Sequence, residues 1–149
     1  MKRSALLGVL LGTLAVSGCV APAHDDAAYE SKAVLTAQAA LSASRTALLG
    51  ARTYAEQRMP GGYLEPVLVD AEQQLGSVQT SFDSVQPPAT TPADDLRTTL
   101  DPLLESAASD VTELRIAARR HRDDDLRRAA ADLGPVADQL EAFAGKHGG

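Results

Sequence analysis

Four stretches of the chain repeat apolar residues at helical spacing, and three breaks separate them. The stretches cover 26–59, 63–86, 92–121 and 124–144. The breaks are Met59-Pro60-Gly61-Gly62, the Pro-rich run from Gln86 to Pro92, and the polar turn at His121-Arg122-Asp123. In the first stretch Ala27, Val34, Leu41, Leu48 and Ala55 recur every seven residues. Leu35 and Leu49 widen that stripe on one side, and Ala37 and Ala51 on the other. In the second, Leu64, Leu68, Ala71, Leu75, Val78, Phe82 and Val85 alternate steps of four and three, one face of an amphipathic helix. The third presents Leu96, Leu100, Leu103, Ala107, Val111, Leu114 and Ala118. The fourth presents Leu126, Ala130, Leu133, Ala137, Leu140 and Ala144, flanked by Val136 and Phe143.

Helix ends fit this division. Thr91-Pro92-Ala93-Asp94 reads as an N-cap followed by proline at the first helical position. Pro66 falls in a first turn, where amide hydrogens lack partners anyway. Pro102 and Pro135 fall inside helices, and the expectation at each is a kink or local break. Alternating β-branched runs are absent, which argues against strands. The predicted fold is all-α: an antiparallel up-down-up-down four-helix bundle over 26–145, with 146–149 as a flexible tail. The first helix is the longest, roughly 50 Å, and part of it is expected to overhang the bundle.

The residues before the bundle carry the clearest message. Lys2 and Arg3 precede an uncharged apolar run from Ala5 to Val16, followed by small residues and Cys19. That run is shorter than the roughly 20 residues that span a bilayer, and the whole has the anatomy of a cleaved secretory signal. Val16-Ser17-Gly18-Cys19 resembles the lipobox of bacterial lipoprotein signal peptides. The resemblance implies cleavage after Gly18, a diacylglyceryl thioether on Cys19, and anchoring on the extracytoplasmic face of the cell membrane. Residues 1–18 are then the signal and 19–25 a lipidated tether.

Composition narrows the chemistry. Cys19 is the only cysteine, so an internal disulfide framework and a Cys-rich zinc site are excluded. Loss of residues 1–18 removes two of the 14 basic residues and none of the 20 acids, taking the formal charge from −6 to −8. An acidic chain with two Phe, three Tyr and no Trp offers no footing for nucleic acid.

Half of the basic residues left after cleavage fall between Arg115 and Arg128. Arg115, Arg119, Arg122 and Arg127 are the candidate contacts for an anion or a partner, an envelope protein or an anionic wall component. Bases at a helix C-terminus and acids at the next N-terminus also complement the helix dipoles, which accounts for the same placement without a ligand. With helix one starting at the membrane, this turn lies at the far tip, and Arg119 and Arg122 are the foremost candidates.

Met59 and His121 fall at that same end. The pairing resembles the Met/His haem ligation of cytochrome-b-type four-helix proteins, although spacing and positions differ. No Glu-x-x-His, Gly-x-Ser-x-Gly or phosphate-cradling glycine motif occurs. The expectation is a non-enzymatic binding or interaction module, without a cofactor beyond the lipid on Cys19. The alternative is a bundle that binds a small ligand, haem or a metal.

Overall fold

The computed structural model describes residues 25–148. They form four helices: α1 (Asp26–Ala55), α2 (Gly61–Asp83), α3 (Thr91–Arg119) and α4 (Asp123–His147). Among the described residues there is no strand, and no helix is long and apolar enough to cross a membrane. The signal, Cys19 and the tether up to His24 lie outside the described residues.

Side-chain contacts fix the topology. Arg97, near the start of α3, lies 3.5 Å from Asp83 at the end of α2. Tyr54, at the end of α1, reaches Asp123 at the start of α4, and Glu30 at the start of α1 meets His147 at the end of α4. Thr90 and Asp26 join the N-terminal ends of α3 and α1 at 2.6 Å. Neighbouring helices therefore run antiparallel, and α1 and α3 run parallel. The fold is the all-α four-helix bundle that the periodicity predicts.

The core of α1 differs from the predicted stripe. Its buried residues are Tyr29, Ala33, Val34, Ala37, Ala40, Ala43, Ser44, Ala47, Gly50 and Ala51. Leu41 and Leu48 are only half-buried, Ala27 and Ala55 are exposed, and Leu35 and Leu49 are each 64% exposed. The physical reason is distance. Alanine lets two helix axes approach closely, where leucine would hold them apart. Gly50 shows the same constraint against α2: a Cβ there would stand 3.2 Å from Val67 Cγ1 and 3.3 Å from Leu64 Cδ1. The alanine face brings α1 against α3 across the bundle diagonal, while α2 and α4 do not meet. The cross-section is a rhombus rather than a square.

Leucines supply the bulk from the other three helices. Leu64, Leu68, Leu75, Leu100, Leu104, Leu114, Leu133 and Leu140 are fully buried, each stabilising by about 1.5–3 kcal/mol. On α3 the buried positions are Leu104 and Ala117, with the predicted Leu103 and Ala118 half-buried beside them.

Both prolines expected to kink or break a helix lie in continuous helix. Pro66 also sits deeper than expected, because α2 starts at Gly61. Each costs the carbonyl four residues earlier its helical donor. Those earlier residues, Gly62, Thr98 and Ala131, are all exposed, so water can serve the freed oxygens.

Caps set both ends of α1 and of α3. Asp25 accepts from the Ala28 amide at 2.8 Å. Thr90, one residue before the predicted cap, accepts from the Ala93 amide at 3.4 Å. At the other end α1 and α3 close in the same way. The amides of Gln57 and Arg58 donate to the carbonyls of Tyr54 and Thr53, and those of His121 and Arg122 to Ala118 and Ala117. Both are Schellman motifs, and both put a non-glycine residue at the left-handed position, Gln57 at φ 57° and His121 at φ 53°.

α1 does not overhang. Tyr29 is fully buried within its first turns, 5.6 Å from the Phe82 ring, and Asp26 is bonded to Thr90. The C-terminal end likewise departs from the expected flexible tail. α4 continues to His147, whose Nδ1 stands 2.9 Å from Glu30 Oε1 and whose ring lies 4.8 Å from that of Phe143.

Candidate functional site

The end of the bundle formed by the α1–α2 and α3–α4 connections gathers the predicted basic residues, and the structure separates them. Arg115 lies one turn before the end of α3 and is 20% exposed. It donates to Glu72 of α2 through Nε at 2.6 Å and Nη2 at 3.3 Å, and Thr112 donates to the same carboxylate at 2.7 Å. Partial burial alone pushes Glu72 up. The hydrogen bonds from Arg115 and Thr112, with the charge of Arg115, outweigh it and hold the carboxyl below its ordinary pKa. Arg115 is thus committed to joining α2 and α3.

Arg122 is bonded to Asp125, and Arg127 to Asp124, both one turn away on their own helix start. Arg128 shares Asp125 with Arg122. These exposed pairs are worth little individually and leave the guanidinium groups reachable. Arg119 and Arg120 are exposed and form no ion pair among the described residues. Of the four predicted contacts, then, Arg119 is free, Arg122 and Arg127 are loosely held, and Arg115 is occupied.

A groove of about 550 Å³ opens between the α1–α2 connection and the start of α4, lined by Tyr54, Arg58, Met59, Asp123, Leu126 and Arg127 among others. Met59 is half-buried in it. His121 is not part of that lining; it is exposed, and its conformation is that of a helix-terminating residue. The two residues weighed as a metal pair are therefore not brought into this groove together. Among the described residues no group of three or more His, Cys, Asp or Glu is arranged to hold a metal ion.

Two polar clusters escaped the sequence reading. Arg97 Nε bonds Asp101 at 3.2 Å, and its guanidinium lies 6.0 Å from the Phe82 ring centre. Beside it Tyr29 Oη and Asp101 Oδ1 are buried without a hydrogen-bond partner among the described residues. Burial raises the Tyr29 pKa, against the opposing charge of Arg97. On α3 the half-buried Asp110 has its pKa raised, first by burial and then by the charges of Asp132 on α4 and Glu113. Each cluster has only a partial linear signal: Arg97 and Asp101 stand four residues apart and Asp110 and Glu113 three, whereas Tyr29, Phe82 and Asp132 join them only once helices are set in register.

The chain matches no protein-family model, no curated protein and no solved structure.

Proposed function

We propose that the protein is a lipoprotein of the bacterial cell envelope, held on the extracytoplasmic face of the membrane through Cys19, and that its bundle is a non-enzymatic binding module. The observation that carries this reading is Val16-Ser17-Gly18-Cys19 after an uncharged apolar run, with the chain's only cysteine at the lipobox position. Diacyl modification contributes about 0.8 kcal/mol per buried CH₂, enough with two chains for stable anchoring. Six residues separate Cys19 from Asp26, where α1 begins, so the tether spans at most about 25 Å. The N-terminal ends of α1 and α3 then face the membrane, and the turn bearing Arg119 and Arg122 faces outward, toward an envelope protein or an anionic wall component.

The test is fractionation of a bacterial host expressing the full chain. The native chain is expected in the membrane fraction with the mass of a diacylglyceryl adduct, and Cys19→Ala in the soluble fraction or as uncleaved precursor without the adduct. Retention of a processed Cys19→Ala chain equal to that of the native one overturns the anchor.

A further inference from the structure

α1 carries two seams. The inner one is the alanine face already described. The outer one is Leu35, Ala39, Ser42, Thr46, Leu49 and Thr53, spaced 4-3-4-3-4, the repeat by which one helix packs along another. All but Thr53 are exposed, and the two leucines are among the three most exposed large apolar residues described. The threonine hydroxyls are spent within the helix: Thr46 donates to the Ser42 carbonyl at 2.9 Å and Thr53 to that of Leu49 at 2.7 Å. Along α1 no acid stands between Glu30 and Glu56; the charges there are Lys32, Arg45 and Arg52. Every other helix carries carboxylates along its middle, among them Asp70 and Glu72, Glu105 and Asp110, and Asp132 and Asp138.

We propose that the outer seam of α1 is the contact of a parallel homodimer between two copies anchored in one membrane. This rests on the anchor reading above. A seam of 4-3 spacing calls for a helix as occupant, and three features select a second copy. Two bodies of charge −8 repel, and α1 itself brings no carboxylate to this face between Glu30 and Glu56; the α4 acids at its edge, Asp138 and Glu141, are paired with Arg45 at 2.9 and 2.8 Å. In parallel register Leu35, Ser42 and Leu49 form one set of layers and Ala39, Thr46 and Thr53 the other, the small residues permitting close approach. Arg45 then flanks the neighbour's Gly50 rather than its Arg45, as an antiparallel pair would have it.

Area sets the conditions. Two leucines and four small side chains offer much less than the ~800 Å² per partner of a free-standing dimer. The bundle in dilute solution is monomeric, and confinement to a membrane supplies the effective concentration that drives pairing.

The experiment uses Ser42→Cys in the full chain, oxidised with copper-phenanthroline in native membranes. Lipidated Cys19 carries no thiol, so Ser42→Cys bears the reactive one. Ser106→Cys, exposed on α3, is the control. A cross-linked species of twice the protomer mass is expected, at least about tenfold more abundant for Ser42→Cys, and lost on dilution in detergent. Leu49→Glu in the Ser42→Cys background is expected to abolish it while the chain stays helical and membrane-bound. Equal cross-linking at both positions in membrane-bound protein overturns the seam alone. A Ser42→Cys adduct of any other mass overturns the second copy as its occupant. Recovery of the native chain from the soluble fraction overturns the anchor reading and this proposal with it.

Discussion

His121 permits a test that separates a structural role from a ligand role. It occupies the left-handed position of the α3 Schellman motif at φ 53°, its side chain exposed and without a hydrogen bond among the described residues. A side chain in that conformation costs about 1–2 kcal/mol, which glycine does not incur. Glycine also enlarges the unfolded ensemble, an opposing effect of about 0.4–1 kcal/mol. The hydrogen bond from the residue 121 amide to the Ala118 carbonyl, 3.0 Å, belongs to the backbone and survives the change. His121→Gly is therefore expected to stabilise the bundle by about 0.5–1 kcal/mol, or roughly 2–4 °C in melting temperature. Thermal and urea unfolding followed by circular dichroism measure this directly. Gln57→Gly, at the matching position of α1, is expected to behave alike. A melting temperature unchanged or lowered in both variants refutes the strain argument. If His121 served instead as a ligand, a haem or metal titration would stabilise the native chain and leave His121→Gly unmoved.

Two further predictions concern buried charge. Glu72→Ala strands Arg115 in a half-buried site and is expected to cost about 1–3 kcal/mol in urea unfolding. The Glu72→Ala, Arg115→Ala double variant should recover part of it, and simple additivity would disprove the pairing. Asp110, whose folded pKa lies above its unfolded value, contributes stability that is present at low pH and lost as pH rises through the folded pKa. Asp110→Asn is thus expected to be the more stable protein at neutral pH and to lose that advantage on acidification; an advantage that grows toward acid contradicts the sign.

The helix count, the breaks and most of the α2 stripe were legible because leucine at helical spacing is a strong signal, as Leu64, Leu68 and Leu75 show. The same signal misleads in α1. Leu41 and Leu48 outweigh Ala40, Ala47 and Ala51 on any scale of hydrophobicity, yet the core there selects for small size. Local grammar also has a limited reach. Pro102 and Pro135 warn of a break, but the carbonyls they free belong to exposed turns. His147 lies in a glycine-rich end that reads as a tail until Glu30 is brought beside it. The resemblance of Val16-Ser17-Gly18-Cys19 to a lipobox is local in sequence and needs no fold to be read, and those residues lie outside the described ones. Sequence distance groups Arg115 with its neighbours, and only the register of α2 against α3 reveals its partnership with Glu72.

The rhombic cross-section also decides how the molecule bears load. α1 touches each of the other three helices, whereas α2 and α4 communicate only through α1 and α3. A pull entering at the N-terminal end of α1 is shared among three lateral contacts at once. The same pull applied to α4 is shared between two. A chain anchored as proposed would thus hang from one of its two best-braced struts, and tension on its N-terminal side would be resisted by sliding several helices together rather than by peeling one away.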